Sequence, residues 1–382
     1  MSKHGRILVA MSGGIDSSLA AVLLHEEGYE VIGMTMKTWD YASSGGTKKE
    51  TGCCSLDSIN DARNIAVNLG FPHYILDIRN EFGDYVIDHF TGEYLEGRTP
   101  NPCVLCNTHI KWDALLRRAD RLDCEFIATG HYANIRHENE RYIISKGIDN
   151  LKDQSYVLWG VSQESLSRTK LPLGHLRKSE IREMAKERGF IELVTKSESY
   201  EICFVPDNDY RGFLKRRMPG LEQEVAGGNF VLEGSNKVVG RHEGYPFYTI
   251  GQRKGLGIAL GHPVFVTEIR KETNEVVLGV DKDLFRDGMY VSKLNLQKYD
   301  RLPGPLETVT KIRYKDSGTP ALLMQESDDR IRVHFHEGVS AIAPGQAAVF
   351  YEGDDVIGGG WIMKSFRQSD EPAASPARAA AV

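Results

Sequence analysis

The sequence predicts an α/β protein whose doubly wound parallel sheet is followed by a small middle domain and a C-terminal β-barrel. In the first part of the chain, short apolar runs alternate with helical repeats, which is typical of a parallel sheet covered by helices on both faces. Beyond Cys203 the runs become short, β-branched and separated by Gly, Pro, Asn and Asp, as in small barrels. The length of 382 residues also exceeds what one ordinary core holds.

The first domain is expected to cover residues 1–203, with strands and helices in alternation. A glycine turn follows the first strand, Gly28 ends the first helix, and Gly70 and Pro72 close the second. The predicted strands are Arg6–Met11, Val31–Met36, His73–Asp77 and Phe126–Thr129, and the predicted helices cover Leu19–Leu24 and Leu56–Leu69.

The rest of the chain is expected to form a middle domain over residues 204–280 and a barrel over residues 281–365. The tail, residues 366–382, is rich in Ala, Pro and Ser and is predicted to be disordered. The strands predicted in this half are Asn229–Leu232, Val264–Ile269, Glu275–Val280, Thr308–Tyr314, Arg330–Phe335, Ala347–Tyr351 and Val356–Met363.

Composition limits the class of protein. Hydrophobic residues make up 41% and charged residues 26%, as in soluble globular proteins. No apolar run approaches the roughly 20 residues that span a bilayer, so we expect a cytoplasmic protein without a membrane partner. The net charge of −6 argues weakly against nucleic-acid binding over the whole surface but leaves a local basic face open. Basic residues cluster over 168–188 and 211–217. These clusters are either a track that binds RNA phosphates or ordinary solvated helix faces.

The stretch from Ser12 to Ser18, Ser-Gly-Gly-Ile-Asp-Ser-Ser, has the composition of a phosphate-binding loop. It joins a buried strand to a helix, so free backbone N–H groups and the positive helix end meet at one point. Gly13 and Gly14 let an anion approach closely, and Asp16 can either cap the helix or hold a magnesium ion. The alternative is an ordinary capped turn. The loop lacks the lysine of a Walker motif. Further hydroxyl donors are Ser12, Ser17 and Ser18.

Two other segments end strands at the same sheet edge, where doubly wound folds hold ligands. Met36 ends the second strand and can contact an adenine ring or simply fill the core. Gly130 and His131 follow a later strand, where the glycine can admit a nucleotide and the histidine can reach a substrate. A lone histidine is more often structural, so this assignment depends on further evidence.

The second strong signal is the segment Thr99–Asn107, in which two prolines fix an irregular loop. Cys106 is expected to open the next helix, where the dipole would lower its thiol pKa. Cys103 and Cys106 form a Cys-x-x-Cys pair, which is redox-active or metal-binding in other proteins, with Cys203 as the natural third member. The chain has no second such pair, so a four-cysteine zinc site is poorly supported. The remaining cysteines, expected in a surface loop or the core, are Cys53, Cys54 and Cys124.

Taken in order, these motifs resemble the PP-loop ATP pyrophosphatase superfamily and, within it, the bacterial tRNA-specific 2-thiouridylases. The resemblance runs over roughly residues 5–365. It implies a PP-loop, Rossmann-like fold and thiolation of the wobble uridine of tRNA at position 2. In that family ATP adenylates uracil O2, pyrophosphate leaves, and sulfur from a cysteine persulfide replaces the activated oxygen. The segments that carry the resemblance are Ala10–Ser17, Gly33–Lys37, Arg98–Asn107, Ala128–Tyr132, Lys152–Tyr156, Ile202–Phe204, Thr249–Arg253, Arg313–Tyr314 and Pro344–Gln346.

The resemblance also implies residue roles. Cys203 would carry the persulfide, and Cys106 would attack it, either liberating hydrosulfide or closing a Cys106–Cys203 disulfide. A sulfur-donor or relay protein is implied as a partner beside the anticodon loop of tRNA. ATP, with Mg²⁺, would be bound by Ala10, Met11, Ser12, Gly13, Gly14, Ile15, Asp16, Ser17, Met36 and Gly130. The target base would be contacted by Asn101, Pro102 and Cys103. The tRNA would be contacted by His131, Lys152, Asp153, Gln154, Arg313, Tyr314 and Gln346.

Cys103 departs from the pattern of that family, in which the best-known members carry an Asp credited with acid–base work. The substitution makes the cysteine set resemble related thiolation enzymes that hold a [4Fe–4S] cluster by three thiolates. Two sulfur chemistries therefore stay open, a persulfide or a cluster on Cys103, Cys106 and Cys203, and in both the three cysteines are expected to converge. Two alternative interpretations of the protein stay open. One is a PP-loop ligase that acts on a small molecule, and the other is a tRNA-binding module whose phosphate loop is vestigial.

Overall fold

The computed structural model describes residues 3–39, 55–196, 202–205 and 207–370. Cys53, Cys54 and most of the predicted tail lie outside the described residues. Within these ranges, no helix is both long enough and apolar enough to cross a membrane.

The first sheet is parallel, as predicted. Its five strands run in the order β3-β2-β1-β4-β7, so the chain starts in the middle and winds outward in both directions. The strands are β1 (Arg6–Ala10), β2 (Glu30–Lys37), β3 (His73–Asp77), β4 (Phe126–Ala128) and β7 (Thr169–Lys170). The four strands expected from the sequence are confirmed to within two residues. β1 and β2 are largely buried apolar runs, whereas β3, at the edge of the sheet, is half exposed.

Helices cover both faces of this sheet, and two of them pass through π-helical turns at Gly83–Ile87 and Cys106–Lys111. The first helix ends at Gly28 in a left-handed conformation, and Gly70 ends the second in the same way. The helices are α1 (Ile15–Glu27), α2 (Leu56–Leu69), α3 (Arg79–Phe82), α4 (Asp88–Leu95), α5 (Pro102–Leu105), α6 (Trp112–Arg121), α7 (Gln163–Ser167), α8 (Lys178–Glu187), α9 (Ile191–Thr195), α10 (Tyr210–Arg217) and α11 (Leu221–Glu224).

The middle part of the chain forms a four-stranded sheet in the order β10-β11-β8-β9. Its apolar face shares one core with the helices after β3, through Phe90, Phe204, Phe230 and Leu278. The strands are β8 (Gly228–Leu232), β9 (Val238–His242), β10 (Phe265–Arg270) and β11 (Glu275–Gly279).

The last part is a closed barrel of six antiparallel strands, in the order β12-β15-β14-β13-β16-β17, with β12 pairing to β17 to complete the ring. The predicted C-terminal barrel is thus confirmed. The strands are β12 (Phe285–Leu296), β13 (Leu306–Lys311), β14 (Thr319–Ser327), β15 (Arg330–Ser340), β16 (Ala347–Glu352) and β17 (Asp355–Phe366).

A hairpin from the first domain extends the barrel sheet. Strands β5 (Ala133–Glu138) and β6 (Arg141–Lys146) pair with each other, and β6 pairs with β17 at Ser145 and Asp355. The buried Asp355 carboxylate accepts hydrogen bonds from Ser145 (2.7 Å) and Lys298 (3.0 Å) at this junction. This hairpin is absent from the sequence expectation, which placed only parallel strands in the first 200 residues.

Two cores meet at the carboxyl edge of the parallel sheet. One core joins the sheet to the barrel through Leu8, Tyr156 and Tyr351, and the other joins the first domain to the middle sheet. Met36 and Leu76, at the ends of β2 and β3, pack against both cores. The candidate site lies at this meeting point.

Candidate active site

The loop between β1 and α1 is folded in advance by its own serines. The Ser12 N–H donates to Ser17 Oγ at 3.0 Å, and the two hydroxyl oxygens are 3.1 Å apart. The Ser17 hydroxyl also donates to the Gly14 carbonyl at 3.2 Å. These bonds hold the loop in a tight bend before any ligand arrives, which lowers the entropy cost of binding an anion.

The two glycines of the loop are needed for different reasons. Gly13 has φ +69°, and a Cβ there would lie 1.9 Å from the Ser58 carbonyl oxygen at the start of α2. Gly14 is the N-terminal boundary of α1 and has no side-chain cap. A Cβ on Gly14 would meet only Ser12 Oγ at 3.6 Å, so protein packing does not require a glycine there. The open side of Gly14 is where an anion can reach the helix N-terminus.

Asp16 does not cap the helix, which corrects that part of the sequence expectation. Both of its carboxylate oxygens accept hydrogen bonds from Lys178 Nζ, at 2.7 and 2.8 Å. Oδ1 also accepts from the Tyr132 hydroxyl at 2.6 Å. Lys178 is buried, so this pair anchors α8 to the start of α1.

The other predicted nucleotide-binding residues surround the loop at the same sheet edge. Met11 is buried, and its carbonyl accepts the Thr35 hydroxyl at 2.8 Å. Gly130 packs on the first turn of α1, since a Cβ there would lie 2.7 Å from the Ser17 amide nitrogen. Met36 is partly buried between the two cores. The loop residues, Met36 and Gly130 therefore lie along one edge of the sheet, together with Ala10 and Ile15.

The cysteine segment differs from the expectation at one point. The helix begins at Pro102, and the Asn101 side chain accepts the Val104 N–H, so Asn101 is the N-cap. Cys106 does not open this helix. It is buried one turn further on, at the start of the π-helical turn Cys106–Lys111. The dipole argument therefore applies to Cys103, in the first turn, and not to Cys106.

A third group, Lys111, brings Cys103 and His131 into one electrostatic environment. The Cys103 thiol is exposed, yet the surrounding protein raises its pKa, with the charge of Lys111 acting in the opposite direction. Burial and then the Lys111 charge lower the pKa of His131 to about 3. His131 Nδ1 lies 2.8 Å from Thr129 Oγ1, so the imidazole is neutral at pH 7 and held in place. A thiol with a raised pKa is a poor substitute for an aspartate base.

Cys106 and Cys203 belong to one apolar cluster, while Cys103 lies outside it. Cys203 is partly buried, and the next residue, Phe204, is fully buried against Phe90 at a ring distance of 5.1 Å. Across the described ranges, no three His, Cys, Asp or Glu side chains group as a metal site would require. The three cysteines therefore do not fit a cluster site in this arrangement, contrary to the expectation that all of them converge.

The barrel holds the loop that carries Asn101 and Cys103. The Thr99 N–H donates to the Pro344 carbonyl at 2.8 Å. The Gln346 amide donates to the carbonyls of Thr99 (3.2 Å) and Pro100 (2.9 Å). The side-chain amide of Gln346, which was predicted to contact tRNA, is thus bonded to the loop that carries Asn101 and Cys103.

Of the other residues predicted to contact tRNA, some face solvent and some organise the backbone. Arg313 and Tyr314 are exposed, and the Tyr314 ring lies 6.2 Å from Tyr156 at the rim of the site. Asp153 accepts from the Gly147 and Ser155 amides, and Gln154 accepts from the Tyr132 amide. Lys152 is partly exposed beside them.

The basic stretches are largely neutralised by acidic partners. Arg168 pairs with Asp120, and Arg188 pairs with Glu26. Lys215 and Arg217 are also paired. These contacts favour structural and solvated roles for those side chains over a continuous phosphate track.

Sequence reasoning missed three lysines. The charge of Lys111 acts on both Cys103 and His131. Lys178 pairs with Asp16, and Lys196 donates to the Gly13 carbonyl at 3.3 Å. Lys178 contacts a loop residue that lies 162 positions earlier in the sequence, and Lys196 contacts one that lies 183 positions earlier. No local sequence pattern predicts such pairings.

A serine- and glycine-rich loop without a Walker lysine, at the carboxyl edge of a parallel sheet, defines a PP-loop type of nucleotide-binding protein. Comparison with known proteins supports a more specific assignment. The tRNA methyl transferase HUP domain family matches residues 5–207, the tRNA methyl transferase PRC-barrel domain 211–280, and the aminomethyltransferase beta-barrel domain 286–362.

Relatives with similarity along their whole length carry a different name from those domain families. The tRNA-specific 2-thiouridylase of Cytophaga hutchinsonii is 74% identical over 96% of this chain and 100% of its own. That of Salinibacter ruber is 57% identical, with 100% of both chains covered. A solved 4-thiouridine synthetase–RNA complex with bound ATP is 18% identical, covers 57% of this chain and 51% of its own, and has a TM-score of only 0.36. The chain belongs to the tRNA-specific 2-thiouridylase family.

Proposed function

We propose that this protein catalyses the ATP-dependent 2-thiolation of the wobble uridine of tRNA. ATP, entering with Mg²⁺, binds the loop Ala10–Ser17, with Met36 and Gly130 beside it. Its α-phosphate is attacked by uracil O2, pyrophosphate leaves, and the uracil carries AMP as a leaving group. The observation that carries the proposal is that Cys106 and Cys203 belong to one apolar cluster, against which Met36 at the end of β2 also packs.

The two cysteines supply the sulfur. A donor protein loads a sulfane sulfur on Cys203, and this terminal sulfur attacks C2 of the adenylated uracil, displacing AMP. The Cys106 thiolate attacks Cys203 Sγ, so the persulfide S–S bond breaks and a Cys106–Cys203 disulfide forms. The bond's electron pair stays on the departing sulfur, and a dithiol reductant restores both thiols. Alternatively, Cys106 displaces hydrosulfide first, and the hydrosulfide attacks the base.

We assign base binding to Asn101, Pro102 and Cys103 at the start of α5, where Cys103 is exposed and Asn101 is partly exposed. The uracil must leave the stack of the anticodon loop to reach this point, which favours recognition of a single strand and of shape. The exposed pair Arg313 and Tyr314 forms the barrel side of the tRNA surface. The remaining tRNA contacts are assigned to His131, Lys152, Asp153, Gln154 and Gln346.

We favour the persulfide over a [4Fe–4S] cluster because the three thiols do not group as ligands within the part of the chain that the structure describes. Anaerobic reconstitution with iron and sulfide, followed by absorbance in the Fe–S charge-transfer region, tests this choice. A colourless, iron-free and fully active enzyme supports the persulfide. Activity that depends on bound iron and is lost in Cys103→Ser contradicts it.

We also propose a division of labour among domains 1–203, 204–280 and 281–365. The first carries the chemistry in the cytoplasm, the second helps to grip the tRNA, and the barrel completes the clamp.

The decisive experiment combines tRNA, ATP and a sulfide or persulfide source, and measures AMP, pyrophosphate and 2-thiouridine together. Equal amounts of the three products are expected. Cys203→Ser should abolish transfer from a persulfide donor, whereas Cys124→Ser, a buried cysteine outside the site, is the matched control. Formation of ADP, or no thiolation, would overturn the proposal.

A further inference from the structure

The phosphate loop lacks a lysine of its own, and the fold brings two from distant positions. Lys178 is buried and holds both oxygens of Asp16, so its charge is already balanced at the loop. Lys196 follows α9 and is more accessible, with 36% of its side chain exposed. Its ammonium donates to the Gly13 carbonyl at 3.3 Å and also pairs with Asp61 of α2.

We infer that Lys196 binds the β- and γ-phosphates of ATP, an inference that rests on the proposed function. The ATP polyphosphate carries about four negative charges, while the loop donors are neutral N–H and O–H groups. A cation that already touches the loop can turn from Asp61 to the phosphates by rotating its flexible stem. In a Walker loop the positive charge at the phosphates comes from a lysine of the loop itself. Here Lys196, near the end of the first domain, would supply that positive charge.

This placement has a chemical purpose. Adenylation releases pyrophosphate, so a cation at the β- and γ-phosphates stabilises the charge that develops on the leaving group. AMP, which stays on the uracil, lacks these phosphates and should not depend on Lys196.

Isothermal titration of wild-type protein and variants with ATP, pyrophosphate and AMP tests the inference. Lys196→Met should lower the affinity for ATP and for pyrophosphate by about 10- to 100-fold, which is the range expected for the loss of one charge-assisted hydrogen bond. The affinity for AMP should not change. Lys196→Arg should recover part of the affinity. The matched control is Lys186→Met, an exposed lysine on α8.

Asp61→Asn provides an independent test should Lys196→Met fold poorly. It removes the competing carboxylate, so ATP should bind as tightly as in the wild type or more tightly. Unchanged ATP affinity in Lys196→Met, equal losses for ATP and AMP, or weaker ATP binding in Asp61→Asn would overturn the inference alone. A wild-type protein that binds no ATP would overturn the proposed function as well.

Discussion

Replacing Gln346 with alanine separates two roles that the same residue could have. Its amide donates two hydrogen bonds to the carbonyls of Thr99 and Pro100, and the alanine variant loses both. Each such bond contributes about 0.5–1.5 kcal/mol, so the free energy of unfolding should fall by about 1–3 kcal/mol. The bond from the Thr99 N–H to Pro344 remains, so the barrel and the loop stay in contact.

The assay pairs thermal or urea unfolding with steady-state thiolation. A loss of this size lowers Tm by roughly 2–4 °C per kcal/mol in domains of about 150–250 residues. Because the loop carries Asn101 and Cys103, kcat should fall along with stability. Gln346→Glu should be worse, since a carboxylate would face two carbonyl oxygens without a proton to donate. Gln368→Ala, an exposed position near the chain end, is the control. An unchanged Tm with only a raised KM for tRNA would refute the anchoring role and favour a direct tRNA contact.

Three further outcomes are expected. Gly13→Ala should unfold or displace the loop, because Gly13 has a φ of +69° and a Cβ there would clash with α2. Gly14→Ala should fold normally and lose ATP affinity by about tenfold or more. Equal Tm values for the two variants would contradict this prediction. His131→Asn should lower the rate without changing the pH profile between pH 6 and 8, since the folded pKa is about 3. Its wild-type imidazole should make stability fall as pH drops from about 6.5 towards 3, because only the unfolded chain binds the proton there, and a pH-independent difference in unfolding midpoint would count against it. Lys178→Met should destabilise the protein because the Asp16 carboxylate loses the cation that balances its charge, and adding Asp16→Asn should restore part of the loss. A double variant less stable than the single one would argue against the pair.

Much of the first domain was predictable because its signals are local. A short apolar run predicts the strand at residues 6–10, and the adjacent glycines predict the loop that follows it. The start of the helix at Pro102 could also have been predicted, because asparagine followed by proline is a typical N-cap and first-turn pair.

The rest depends on tertiary contacts or on weak turns. The hairpin β5–β6 was missed because its turn places Asn139 and Glu140 at positive φ, and glutamate is an unusual residue there. The pairing of Asp16 with Lys178 was not predicted, because the two residues are 162 positions apart in the sequence. The role of Gln346 likewise depends on a bond to a loop 246 residues earlier in the sequence.

Because β6 pairs with β17, one sheet contains strands from both the first and the last part of the chain. Cutting the polypeptide within the middle domain would leave two fragments with complementary sheet edges and separate halves of the Asp355 network. Such fragments should recover activity when co-expressed, and either one made alone should aggregate. This enzyme is therefore a candidate for split-protein complementation, and its N-terminal domain is a poor candidate for a minimal catalytic unit.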